Sequence, residues 1–256
     1  MKQRVISGII IGLITTAAVL IGGSFFNVVL VFIAAWGSFE FCNTRNRKLN
    51  IFEYLLMLGF ICLINLFFDK ALGITLALAV LIITLSVFDD TITFDDISVT
   101  FIESIILGFG IHYMAEIEYL SKWMFGYIVI IAYLTDVFAL LTGMKFGKHK
   151  LNERISPKKT VEGALGGWIF GFGISLVYAW ILNFFYVDPL FIVICSLVLP
   201  VVSQIGDLAF SLIKRHFKIK DFSKLIPGHG GLLDRLDSMF FVLLVYGALA
   251  IIVGLY

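Results

Sequence analysis

Ala71-Leu-Gly-Ile-Thr-Leu-Ala-Leu-Ala-Val-Leu-Ile-Ile-Thr-Leu-Ser-Val-Phe88 contains no charged residue from end to end. At a rise of 1.5 Å per residue, a helix of this length approaches the ~30 Å thickness of a bilayer's hydrocarbon core. Stretches of the same character recur along the chain. Hydropathy places about nine spans, at residues 5–23, 27–42, 51–67, 71–88, 97–114, 123–143, 163–184, 188–213 and 236–256. The runs are continuously apolar, whereas a membrane β-barrel would alternate polar and apolar residues in strands of about ten. A lipid-exposed backbone must satisfy its own hydrogen bonds, so the expected architecture is an all-α, polytopic transmembrane helical bundle.

Composition points the same way. Hydrophobic residues make up 60% of the 256-residue chain and charged residues 14%. A soluble domain, whose surface must face water, carries about 25% charged residues. The net charge of +1 offers no global field for nucleic acid, which is not an expected partner. Cys42, Cys62 and Cys195 are scattered through apolar stretches without metal-ligand spacing, and read as core or lipid-facing residues rather than a disulfide framework. Lys2 and Arg4 ahead of the apolar run from Val5 resemble a signal peptide. The run is long and no small-x-small site follows it, so a retained first helix is expected.

Lysine and arginine set the expected orientation. Lys2 and Arg4 precede span one, and Arg45, Arg47 and Lys48 follow span two. Lys145, Lys148, Lys150, Arg154, Lys158 and Lys159 lie between spans six and seven. Lys214, Arg215, Lys218, Lys220, Lys224 and Arg235 lie between spans eight and nine. With nine spans and a cytoplasmic N-terminus, all four groups fall on the cytoplasmic side, and little beyond Lys70 and Lys122 falls opposite. Asp89, Asp90, Asp95 and Asp96 then also lie on the cytoplasmic side, an acidic loop on which the rule is silent. The polar residues divide the chain into N-terminal transmembrane helices, 1–122, and a half, 123–256, with two basic cytoplasmic loops where chemistry is expected.

Asp136 and Asp207 each sit about six residues before the cytoplasmic end of a span, roughly 9 Å below it, so two carboxylates at matched depth can face one cavity. An acid in hydrocarbon costs ~2.5–3.5 kcal/mol and is a functional candidate by default, against the plainer reading of a helix–helix hydrogen bond. Ser203, Asp207, Ser211 and Lys214 step by four, four and three and form one polar stripe, with Gln204 beside it. Such a stripe must face protein or water. Lys220-Asp-Phe-Ser-Lys-Leu-Ile-Pro-Gly-His-Gly-Gly-Leu-Leu-Asp-Arg-Leu-Asp237 surrounds His229 with Gly228, Gly230 and Gly231, which permit close backbone approach to phosphate. It ends with Asp234 and Asp237 on one helical face, where they can share a cation or simply face the helix dipole. Between spans six and seven, Ser156-Pro157-Lys158-Lys159-Thr160 puts a turn, two hydroxyls and two ammonium groups in one short segment. Its cations suit a polyphosphate or an anionic lipid head, and equally the topology rule. There is no nucleophile elbow, zinc motif or P-loop. Carboxylates, cations and glycine-rich backbone at a membrane surface suit phosphoryl-type transfer, which needs positioning and neutralised oxygens rather than covalent help.

Ser211-Leu-Ile-Lys214-Arg215, followed by Lys220-Asp221 and by Ile226-Pro227-Gly228-His229-Gly230-Gly231-Leu-Leu-Asp234-Arg235-Leu-Asp237, closely resembles the signature of the phosphatidate cytidylyltransferase (CDP-diacylglycerol synthase) family. Ser203-Gln204-Ile-Gly206-Asp207, the Ser156–Thr160 segment with Glu162-Gly163 and Gly166-Gly167, and Phe146-Gly147-Lys148-His149-Lys150 are similar to further family motifs. The resemblance covers about residues 123–256. It implies transfer of CMP from CTP to phosphatidic acid with release of pyrophosphate, in phospholipid biosynthesis at a bacterial cytoplasmic membrane. It implies Mg²⁺, alone or with a monovalent cation such as K⁺, membrane lipids as surroundings, and a homodimer. Asp207, Asp234 and Asp237 would be the metal-side carboxylates, with Asp136 beside them. Lys214, Arg215, Lys158, Lys159 and Arg235 would hold phosphates. Ser156, Thr160, Ser203, Ser211, Asp221, His229 and the glycines 228, 230 and 231 would position substrate.

Two positions depart from the family pattern. Val137-Phe138 follows Asp136 where a small residue and glycine are usual, and Phe210 stands where an acid often precedes Ser211. Bulk there would narrow a cavity, and a lost carboxylate would alter cation binding. A same-fold paralogue acting on another lipid phosphate, or without activity, is therefore an alternative. A transporter of an anionic substrate is another, although the chain lacks the internal repeat that such proteins often show.

Overall fold

The computed structural model describes residues 14–44, 51–89, 92–182, 184, 187–226 and 230–255. Two compact units divide the chain: residues up to Glu116 with Phe222–Leu233, and Ile117–Asp221 with Asp234–Tyr256. Among the described residues, seven helices are long and apolar enough to cross a membrane. The chain is thus a multi-pass, all-α membrane protein.

The first unit opens with helical residues 14–21 and breaks at Gly22 and Gly23, whose φ values of 65° and 54° suit only glycine. Helices α1 (Gly23–Cys42), α2 (Ile51–Leu66), α3 (Ala71–Phe88) and α4 (Phe94–Leu120) follow, with a 3₁₀ turn at Phe68–Lys70. Residues 5–13 of the expected span 5–23 lie outside the described residues. Phe60, Ile64, Leu78 and Ile82 form a buried cluster, on which Phe101, Ile105 and Phe109 of α4 pack. The opposite face of α3 exposes Leu72, Leu76, Val80 and Val87, as a helix does when its solvent is lipid. α4 starts with a reciprocal cap: the Thr93 N–H donates to Asp96 Oδ2 at 3.0 Å, and the Asp96 N–H donates to Thr93 Oγ1 at 3.2 Å. Asp95 and Asp96 are thus first-turn acids that favour the helix dipole.

The second unit contains α5 (Lys122–Phe146), an antiparallel hairpin of β1 (Lys150–Asn152) and β2 (Ser156–Thr160), α6 (Val161–Ile181), α7 (Pro189–His216) and α8 (Leu233–Ile252). Thr160 ends the hairpin and caps α6, accepting the Gly163 N–H at 3.1 Å. Glycines bring α6 onto α5. A Cβ at Gly163 would lie 2.7 Å from the Ala139 carbonyl, and one at Gly167 2.8 Å from the Thr135 carbonyl. In lipid, where no hydrophobic effect drives helices together, such close approach is a main source of packing. Asp188 caps α7, accepting the Leu190 N–H at 2.8 Å, with Pro189 at the first turn. Pro200 lies inside α7 and cannot donate a helical hydrogen bond; nearby, the Trp168 indole N–H donates to the Leu197 carbonyl at 2.9 Å.

α4 and α5 outrun their expected spans because a helix entering water needs no new hydrogen bonds, so polarity marks the membrane boundary rather than the helix end. α2, at 16 residues, is slightly shorter than its expected span.

Candidate active site

Along the polar stripe of α7, Ser203, Gln204, Asp207 and Lys214 meet protein groups. The Ser203 hydroxyl is buried and donates to the Ala132 carbonyl of α5 at 3.2 Å. Gln204 donates through Nε2 to the Ala164 carbonyl of α6 at 3.1 Å. One turn on, Asp207 Oδ2 meets Lys159 Nζ of β2 at 2.5 Å. Ser211 is half-buried on the next turn. Lys214 Nζ then reaches Asp234 Oδ1 at the start of α8, 2.6 Å away, in a pair almost sealed from solvent.

Asp136, Lys158, Lys159, Thr160, Gln204 and Asp207 share a cavity of about 560 Å³ between α5, the hairpin, α6 and α7. That volume suits a nucleotide or a lipid head. Asp136 Oδ2 accepts from the Ser238 hydroxyl at 2.7 Å, and Asp136 lies within electrostatic range of Asp207, Lys159 and Arg235. Asp237 lies within electrostatic range of Asp207, Lys214 and Asp136. Gly206 makes this convergence possible: a Cβ there would lie 3.0 Å from the Asp237 carbonyl and 2.8 Å from Phe241 Cβ. Arg235 is half-buried, its carbonyl accepts from the Tyr133 hydroxyl at 3.1 Å, and its Nε lies buried without a hydrogen bond. Asp136, Asp207 and Asp237 thus share one region with Lys158, Lys159, Lys214 and Arg235, and the lysines neutralise carboxylates that would otherwise sit in a poorly solvated place.

The hairpin is pinned at its base. Glu162 accepts from the backbone N–H groups of Lys148 and His149 at 3.0 and 3.2 Å, and contacts His149 Nδ1 at 2.6 Å. Lys150 Nζ donates to the Pro157 carbonyl at 2.8 Å. The basic loop thus has a fixed shape that directs Lys158 and Lys159 to the cavity.

Other expected residues lie elsewhere. Ser156 is half-buried on β2 opposite Asn152 and does not line the cavity. Arg215 is exposed and donates to the Ile219 carbonyl at 3.0 Å, closing the end of α7. Asp221 is exposed. Gly230 and Gly231 belong to the first unit, and Gly228 and His229 lie outside the described residues. Neither family departure lines the cavity. Phe138 stacks on Phe170 with centroids 4.5 Å apart, Val137 is exposed, and Phe210 is buried in parallel to Phe240 at 6.3 Å. Ser238, which holds Asp136, was not distinguishable in sequence from polar glue between helices.

The acids present only oxygen donors, which suits a hard cation such as Mg²⁺. Among the described residues, no three His, Cys, Asp or Glu side chains gather as a dedicated metal cage. Mg²⁺ usually takes one or two carboxylates, substrate phosphates and water, so a spread set of acids beside phosphate-binding lysines fits it.

Residues 2–253 match the Cytidylyltransferase family. A phosphatidate cytidylyltransferase of Bacillus subtilis is 31% identical over 256 residues, 95% of each chain. One of Staphylococcus saprophyticus is 32% identical over 95% of this chain and 96% of its own. One of Staphylococcus haemolyticus is 38% identical over 137 residues, about half of each chain.

Proposed function

This chain belongs to the cytidylyltransferase family, and from that premise we propose that it transfers CMP from CTP to phosphatidic acid, giving CDP-diacylglycerol and pyrophosphate. The observation that carries this reading is the cavity where Lys158 and Lys159 meet Asp136 and Asp207. A phosphate oxygen of phosphatidic acid forms a bond to the α-phosphorus of CTP. The bond from that phosphorus to the bridging oxygen of the β-phosphate breaks, and pyrophosphate leaves with the electron pair.

Lys159 exchanges its contact with Asp207 for substrate phosphate, and Lys158 and Arg235 add charge to the same anion. Lys214, fixed by Asp234, provides a further cation, and Arg215 joins it at the surface. Ser156, Thr160, Ser203, Ser211, Asp221, His229 and glycines 228, 230 and 231 orient the two substrates. Asp207, Asp234 and Asp237, with Asp136 beside them, would hold Mg²⁺, with or without K⁺. When bound, that ion neutralises phosphate oxygens and stabilises the leaving pyrophosphate.

The chemistry is assigned to the 123–256 half, on the cytoplasmic face of a bacterial cytoplasmic membrane. The proposed topology has nine spans, a cytoplasmic N-terminus and a homodimeric assembly. CTP is available on that face, and the basic loops favour it. The direct test supplies protein in mixed micelles with phosphatidic acid and Mg²⁺, using CTP labelled at either the α- or the γ-phosphorus. Label from the α position should enter lipid and label from the γ position should appear in pyrophosphate. Lipid labelled from the γ position would indicate phosphorylation and overturn the proposal.

A further inference from the structure

Glu40 lies two residues before the end of α1 and is fully buried, at 0% exposure. A carboxylate in such a place is costly unless donors surround it. Its Oε1 accepts from the Trp36 indole at 3.0 Å, the Ser223 hydroxyl at 2.5 Å and the Leu232 N–H at 2.9 Å. Its Oε2 accepts from the Leu233 N–H at 2.8 Å. Three of these donors come from one segment of the same unit, Phe222–Leu233, 183 to 193 residues further along the chain.

Leu233 is the first residue of α8, and a helix start leaves backbone N–H groups without partners. Leu232, at the capping position, has no side chain able to serve them. Glu40 supplies the cap from a distant helix and places negative charge at the positive end of the helix dipole. Its carboxylate also presses on bare backbone: a Cβ at Gly231 would lie 2.6 Å from Oε1 and 2.7 Å from Oε2. The same segment is closed by paired backbone hydrogen bonds between Ile226 and Gly230, at 2.9 and 3.2 Å, with Gly230 at φ +87°. Phe222 anchors its other end with an edge contact to Phe41, centroids 5.5 Å apart.

We propose that Glu40 is a positioning residue: it holds residues 222–226 and 230–233, and through Leu233 the backbone leading into Asp234, in the single conformation that nucleotide transfer requires. This inference rests on the reaction proposed above for its kinetic consequence but not for the clamp itself. Glu40→Gln replaces one acceptor oxygen with an NH₂ donor that faces other donors, so the segment should open more often. Lys224 is exposed within it, so tryptic cleavage after Lys224 reports that opening without reference to activity. Cleavage in Glu40→Gln should rise about tenfold or more, with a comparable fall in kcat and a smaller change in KM for CTP. Glu40→Asp, which keeps an acceptor-only carboxylate, should recover part of both. If Glu40→Gln fails to fold, Glu40→Asp carries the same two readouts at smaller amplitude. Unchanged cleavage, or unchanged kcat, in a folded variant would overturn the proposal. A wild-type protein that forms no product would overturn the transfer reaction instead, and cleavage would then decide the clamp alone.

Discussion

At the scale of residues, lysine–carboxylate contacts govern the site. Lys159 contacts Asp207, and any phosphate entering the cavity competes with that contact. Lys159→Ala should therefore raise KM for CTP about tenfold or more while changing the folding of the solubilised protein little, because a charge-assisted contact contributes ~1.5–3 kcal/mol. Titration of the rate with CTP checks this, and an unchanged CTP dependence would remove Lys159 from the site. Lys214 differs because its pair with Asp234 is buried. Removing one partner of a buried pair leaves a charge poorly compensated, so Lys214→Ala should cost ~3–5 kcal/mol of stability as well as activity. Lys214→Ala combined with Asp234→Leu should regain much of the stability and none of the activity. Thermal unfolding in detergent, beside the rate, separates the two effects.

At the scale of elements, much of the architecture could be read from polarity. Ser203, Asp207, Ser211 and Lys214 share a face of α7 because lipid cannot serve polar groups, and that face does meet protein and cavity. The matched depth of Asp136 and Asp207 likewise brought both to one cavity. The hairpin 150–160 was not legible, since its short strands mix cations, polar residues and Pro157, and its base is held by Glu162, which lies beyond it in the first turn of α6. Glu40 was also missed. Three of its four donors are far away in sequence, and the sole signal was one acid near the end of an otherwise apolar span. Phe210 and Phe138 looked intrusive in sequence, yet both turn into aromatic contacts away from the cavity. Glycine spacing on α6 gives a direct test. Gly167→Val would drive methyl groups into Ala139 and the Thr135 carbonyl and should destabilise by ~1–3 kcal/mol or more. Gly173→Ala meets nothing within 4 Å and should stabilise α6 by roughly 0.5–1 kcal/mol. Comparable shifts in both variants would contradict the packing described.

At the scale of the whole molecule, the long apolar helices require a bilayer, and the proposed topology fixes which ends face the cytoplasm. In a variant lacking native cysteines, Lys150→Cys should react with a membrane-impermeant maleimide only from the cytoplasmic side, and Lys122→Cys only from the other. Reaction of both from one side would break the nine-span arrangement. The account as a whole depends on the cavity between α5, the hairpin, α6 and α7 being the place of transfer. The most direct measurement reconstitutes wild-type and Asp207→Asn proteins with phosphatidic acid, Mg²⁺ and labelled CTP and follows label into lipid. Asp207→Asn keeps the size of the side chain and removes the charge that meets Lys159, so it should remain folded in the membrane and transfer no label. A folded Asp207→Asn protein that labels lipid at a rate near the wild type would contradict the assignment of this cavity.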